Sequence, residues 1–182
     1  MYSLKRDDAV LVVVDIQKKL VKIMPEKVYE KILKNNQILI KAAKILNIPV
    51  IYTQQYTKGL GETVDELKEL LTDEHVEKLT FSCCKEQSFL EKLKSLGRKS
   101  VILTGMEAHI CVLQTAIDLL ENGYNVFTVA DAVCSRFKDN WKFGLEYMRD
   151  AGAKITVVET VLFQLLERSD AKEFKEVQAL IK

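Results

Sequence analysis

Five short runs in this chain are almost free of polar side chains, at residues 9–14, 48–53, 100–104, 125–130 and 153–158, with a weaker candidate at 75–78. A strand with one face in water alternates apolar and polar residues, whereas a strand covered on both faces reads as unbroken Val, Ile and Leu. Between the runs lie longer stretches with helical period, so the pattern predicts strand-helix-strand units feeding a parallel sheet with helices on both faces, an α/β architecture of three layers.

The first helical stretch is expected over 25–46. Pro25 suits a first helical turn, and Val28, Ile32, Ile38, Ile40 and Ala43 contribute to the buried side. Others are expected near 63–71, 85–96, 110–121 and 140–150, the last two closed by Asn-Gly and Ala-Gly, and a final pair near 161–167 and 171–181. The segment 54–61, Q-Q-Y-T-K-G-L-G, joins a strand to a helix, carries two glycines and reads as a functional loop.

At 182 residues the chain fits one domain spanning 1–182, able to hold a core without disulfides or metal. With 27 basic against 26 acidic residues and no lysine-rich block, no nucleic acid or anionic membrane is expected as partner, and a small, weakly charged substrate fits better. No apolar stretch approaches the roughly 20 residues of a membrane span, and no signal core precedes the first run, so a cytoplasmic protein is expected. The four cysteines, at 83, 84, 111 and 134, form no C-x-x-C pair and are expected as reduced thiols.

In an open parallel sheet, ligands bind beyond the carboxyl ends of the strands, where strand order reverses. Asp15 ends the first run, Lys78 ends the weak one, and Cys111 follows the run at 100–104 where a helix is due to begin. A thiolate is the attacking form of cysteine, and a helix N-terminus beside the Lys78 cation is expected to lower the thiol pKa. Asp15 would act as general base and then acid, and backbone N–H groups at the same turn would receive the developing oxyanion. Taken singly, each residue has a bland explanation: a turn former, a solvated lysine, a small buried cysteine. Cys83, Cys84 and Cys134 keep that explanation.

Four segments together carry more. D-I-Q (15–17), E-K-L-T-F-S (77–82), T-G-M-E-A-H-I-C-V (104–112) and V-A-D-A-V-C-S-R (129–136) resemble, in order and spacing, the motif set of the isochorismatase-like cysteine hydrolases. The resemblance covers nearly the whole chain. It implies a six-stranded parallel sheet of order 3-2-1-4-5-6, a catalytic triad at Asp15, Lys78 and Cys111, and a cis peptide at Met106-Glu107. The N–H groups of Glu107 and Cys111 would then form the oxyanion hole. The run T-Q-Q-Y-T-K-G-L-G-E-T-V-D-E-L and the A-H-I-C-V form look like the small single-domain members of that family. The metal-binding nicotinamidases carry Asp-x-His at the second strand plus a further His, whereas this chain has only His75 and His109 and places Gln54 and Gln55 there. No metal or other cofactor is therefore expected.

Gln17, Gln54, Tyr56, Phe81 and His109 are the expected substrate-binding residues, although core packing competes for Phe81 and for Trp141, and a pocket-wall or structural role is favoured for His109. Asp131 is assigned to loop organisation. Retention of a thiol points to a small amide, carbamoyl or imide substrate cleaved through a Cys111 acyl-enzyme. Two alternatives stay open: a non-catalytic binding or assembly protein on the same fold, and a metal-independent vinyl-ether hydrolase that keeps its activity without the thiol. The resemblance also implies a homo-oligomer, for which the apolar C-terminal pieces could supply a contact.

Overall fold

The computed structural model describes residues 3–71 and 74–182. Six strands, β1 (Ala9–Val14), β2 (Val50–Gln55), β3 (Val76–Lys78), β4 (Ser100–Met106), β5 (Asn125–Cys134) and β6 (Lys154–Thr156), form one sheet. Its order is β3-β2-β1-β4-β5-β6 and every pairing is parallel. The chain builds outward from β1 to one edge, returns to β4, and builds to the other edge. Order therefore reverses between β1 and β4, where the connections after the two strands diverge and leave a crevice.

Each strand of the sheet centre feeds two cores. Ala9, Leu11 and Val13 enter a cluster with Ile32, Leu39 and Ile40 of α1 (Glu26–Ile45) and Val161 and Leu162 of α7 (Val158–Leu166). Val10, Val12 and Val14 enter the other, with Phe89 and Leu93 of α4 (Gln87–Ser95), Leu119 of α5 (Leu113–Glu121) and Met148 of α6 (Lys138–Asp150). Successive side chains of a strand point to opposite faces, so burial on both sides demands six apolar residues in a row. Each buried Val or Leu contributes about 1.5–3 kcal/mol of transfer free energy, which makes the central strands the anchor of the fold. Three short helices, α2 (Thr57–Leu60), α3 (Asp65–Lys68) and α8 (Phe174–Ala179), complete the layers.

Several expectations change in detail. The helix expected over 63–71 is the single turn α3, and that over 110–121 splits into a π-helical turn, Ala108–Val112, running into α5. Val28 does not join the buried side of α1 but is 39% exposed, because it faces an open groove rather than the core. β2 runs two residues further than expected, which puts Gln54 and Gln55 in the strand rather than in the loop. The weak run at 75–78 does form a strand, β3, with Lys78 aligned to Gln55.

β5 also outruns its expected end at Ala130. Leu103 is aligned with Thr128 but Gly105 with Val133, so residues 129–132 bulge out of the ladder before pairing resumes. Asn36, buried within α1, donates to Ala132 O at 3.0 Å, and Asn35 to Asp131 O at 2.6 Å, tying the helix to the bulge. Gly105 is required where β1 and β4 meet: its φ is +113°, and a Cβ would stand 2.0 Å from Val14 O.

Candidate active site

Asp15 follows β1 with a left-handed backbone, φ +51°, a conformation that aspartate tolerates better than most residues. The turn directs its carboxylate into the crevice beside the ends of β2 and β3. Oδ1 accepts the Thr53 hydroxyl at 2.6 Å, and Oδ2 stands 2.7 Å from Nζ of Lys78, both side chains having no exposure. The ammonium also donates to Gln55 Oε1 at 2.6 Å and to the carbonyls of Thr80 and Phe81 at 3.1 and 3.0 Å. A buried lysine is tolerated only when compensated in this way.

Cys111 enters from β4. The peptide Met106-Glu107 is cis, and the π turn follows at once, with N–H groups of Ile110 and Val112 both donating to Glu107 O. Such turns recur at functional sites because the extra residue re-aims a side chain. Here the thiol comes close enough to Asp15 and Lys78 to feel both charges. Gly144 lets α6 press onto this turn, since a Cβ there would lie 3.0 Å from His109 Cα. Cys111 keeps 7% exposure against 0% for Asp15 and 1% for Lys78, so of the three it is the one that reaches the surface.

The electrostatics reverse one expectation. Burial, and after it the Asp15 charge, pushes the Cys111 thiol up to about 12, with Lys78 pulling the other way. The pull of the cation is outweighed by burial and by the Asp15 charge. Burial raises the Asp15 carboxyl above its ordinary range, against the opposing charge of Lys78. For Lys78 burial alone would lower the pKa, but the Asp15 charge overrides it and the ammonium is held above its usual value. The resting cluster is thus a thiol beside a carboxylate–ammonium pair.

The remaining expected residues divide. Gln17 is fully buried and its amide clamps the chain: Nε2 donates to Gln55 O and Gly61 O at 3.0 and 2.6 Å, and Oε1 accepts from Gln55 N at 2.7 Å. Gln54, also buried, bonds Thr63 and Thr57. Tyr56, in left-handed backbone, lays its ring over bare Gly59 and is half exposed. Phe81 is 56% exposed, so it is not core. Trp141 is partly buried and donates to Ala130 O. The ring of His109 is held between Ser135 Oγ at 2.9 Å and Asn140 Nδ2 at 3.3 Å, and His75 sits apart against Glu77 at 3.4 Å. Glu107, 5% exposed, receives N–H and Nε–H of Arg136 at 2.9 and 3.2 Å. Asp131 accepts the first N–H of α7. Sequence reasoning passed over Thr53 and Gln55, which bond the two charges directly, and Cys83, whose buried Sγ lies 4.0 Å from Thr53 Oγ1. Their signal was the period of β2, which puts Thr53 and Gln55 on one face.

Fold and site together define a three-layer α/β protein with a carboxylate, an ammonium and a thiol gathered at the carboxyl edge of its sheet. The Isochorismatase domain model matches residues 9–160, and the chain belongs to the isochorismatase family. It is 43% identical over 154 residues to isochorismatase domain-containing protein 2 of Danio rerio, covering 84% of this chain and 77% of that one. The secreted isochorismatase effector Isc1 of Phytophthora sojae is 42% identical over 149 residues, 79% and 71% of the two chains. Among solved structures, MAR1 ribonuclease from Caenorhabditis elegans superposes with a TM-score of 0.91 at 42% identity, over 98% of this chain and 92% of that one. The YcaC product of Escherichia coli, an octameric hydrolase of unknown specificity, gives 0.92 at 24% identity over 100% and 90%, a likeness of fold.

Proposed function

We propose that the protein is a cysteine hydrolase that cleaves the C–N bond of a small amide, carbamoyl compound or imide. What carries the reading is the Cys111 thiol in electrostatic reach of a buried carboxylate that Lys78 meets at 2.7 Å. Because the thiol is protonated at neutral pH, its proton passes to Asp15 as sulfur attacks the carbonyl carbon. A carboxyl raised by burial is the better base for that transfer. The N–H groups of Glu107 and Cys111 receive the oxyanion. As the C–N bond breaks, Asp15 returns the proton to the leaving nitrogen, giving a thioester on Cys111. A water deprotonated by Asp15 then attacks the thioester carbonyl, and the departing sulfur takes the proton back. Lys78 keeps Asp15 ionised between steps. His109 forms a pocket wall, and Gln17 and Gln54 shape the loop beside the substrate, with Tyr56 and Phe81 at its rim.

No metal or other cofactor takes part in this scheme. We place the protein in the cytoplasm, where its four free cysteines stay reduced, and expect copies to associate through exposed side chains such as Phe143 and Tyr147 on α6.

The test is turnover of an amide, carbamoyl and imide panel by the wild-type chain and by Cys111→Ala. Release of amine or ammonia that disappears in the variant supports the reading. Cleavage that survives in the variant points to thiol-independent chemistry, and total silence with a tightly held macromolecular partner points to a binding protein. Because one similar structure is named a ribonuclease, an RNA oligonucleotide belongs in the panel; its cleavage in place of the acyl compounds would overturn the proposal.

A further inference from the structure

On the outer side of β5 lies a second concavity that the chemistry above does not use. β6 pairs only with residues 127–129, so from Ala130 onward β5 has no strand on its outer side among the described residues. The gap is walled by α1 and α6 and encloses about 340 Å³, within the range of roughly 300–1,000 Å³ typical of small-molecule sites. Val28 and Ile32 line it from α1, Val133 from β5 and Trp141 from α6.

Three backbone carbonyls along this edge are already satisfied. Ala130 O accepts from Trp141 Nε1 at 3.2 Å, Asp131 O from Asn35 at 2.6 Å and Ala132 O from Asn36 at 3.0 Å. With those carbonyls capped, an added strand would lack acceptors there, so an occupant is recognised chiefly by side chains. The side chains at the rim are cations. Lys27, Lys31 and Lys138 line the groove and have no ion-pair partner among the described residues, whereas Arg136 is committed to Glu107. Asp131 is the one carboxylate in the lining, and its Oδ1 accepts the N–H of Val158. In a chain of net charge +1, three uncommitted ammonium groups around an apolar floor are a local concentration of charge.

We propose that this groove binds a small amphipathic monoanion, a carboxylate on an aryl or branched alkyl body, with the body against Val28, Ile32 and Trp141 and the head among the lysines. Arg136, the other cation in the lining, is held by Glu107, so the three lysines are left to meet a single anionic head. This binding is separate from the chemistry at Cys111.

Trp141 is the only tryptophan in the chain, so its emission reports on the groove directly. The probe is 3-phenylpropanoate, excited beyond its own absorption, with 3-phenylpropan-1-ol as the uncharged comparator. A saturable change in emission is expected, with the alcohol about tenfold weaker and a Lys27→Gln/Lys31→Gln protein about fivefold weaker, the weight of one or two partly exposed charges. Both lysines are on the exposed side of α1, so the fold survives the change. Val28→Phe, which fills the groove, abolishes the response, and Cys111→Ala leaves it unchanged. No saturable signal, equal affinity in the lysine variant, or loss in Cys111→Ala would each overturn the proposal. So would a Trp141 emission that shifts with protein concentration alone, in step with a larger species in sedimentation, since that assigns the groove to a second copy.

Discussion

Nζ of Lys78 and Oδ2 of Asp15 stand 2.7 Å apart, with neither side chain reaching solvent. Such a pair stabilises little against an apolar replacement, but removing one partner leaves a buried charge uncompensated, at a cost of about 3–5 kcal/mol. Lys78→Met is therefore expected to lower the unfolding free energy by about that amount, and Asp15→Asn/Lys78→Met to recover most of it. Urea denaturation of the two variants measures this, and a single variant as stable as wild type contradicts it.

The same pair sets an unusual pH dependence. The folded carboxyl of Asp15 lies above its unfolded value of 3.8, so the folded state holds this proton more tightly than the unfolded chain. Its stabilising contribution is complete below that value and is withdrawn as pH rises through the raised folded value. The stability difference between wild type and Asp15→Asn should therefore shrink as pH rises from about 4 toward neutrality. A difference that grows instead would show Asp15 to behave as an ordinary salt-bridged carboxylate.

Iodoacetamide should modify Cys111 before Cys83 and Cys134, because all four thiols are pushed up to about 12 but those two are 0% and 1% exposed against 7% for Cys111. The rate should climb with pH without a plateau near neutrality. Asp15→Asn removes a charge that raises the thiol, so its labelling should be faster while turnover is lost. Intact mass against time follows both. Labelling that is slower in the variant would mean the carboxylate assists rather than hinders thiolate formation.

Gly105→Ala should fail to fold or lose about 4 kcal/mol or more, since the new Cβ meets the Val14 carbonyl at 2.0 Å across the β1–β4 pairing. Thermal melting of soluble protein decides this.

Much of this was readable in the letters, and the reason is physical. The unbroken apolar run of β1 can be satisfied only by two covered faces, so the parallel sheet followed from it, and Asp15, Lys78 and Cys111 stood out because each sits where a strand ends. Thr53 and Gln55 were not legible as partners, because their role depends on the register of β2 against β1 and β3, which pairing and not local pattern decides. The direction of the Cys111 shift escaped because spacing reveals which charges are near but not how deeply the sulfur is buried, and burial is the larger cause.

Gln17→Ala removes three hydrogen bonds that hold Gln55 and Gly61, and should cost about 2–3 kcal/mol. If the loop over 55–61 borders the substrate, KM for a panel substrate should rise more than kcat falls. An equal fall in kcat with KM unchanged would place Gln17 in the chemistry itself.

The π turn at Ala108–Val112 has a consequence for how this centre can vary. Deleting one residue there would convert it to ordinary α geometry and swing everything downstream by about 100°. Either the sulfur would keep its bearing and α5 would present polar residues to the sheet, or α5 would keep its seat and the sulfur would face away from Asp15. Single-residue gaps in this stretch are therefore expected only together with loss of the thiol from this cluster.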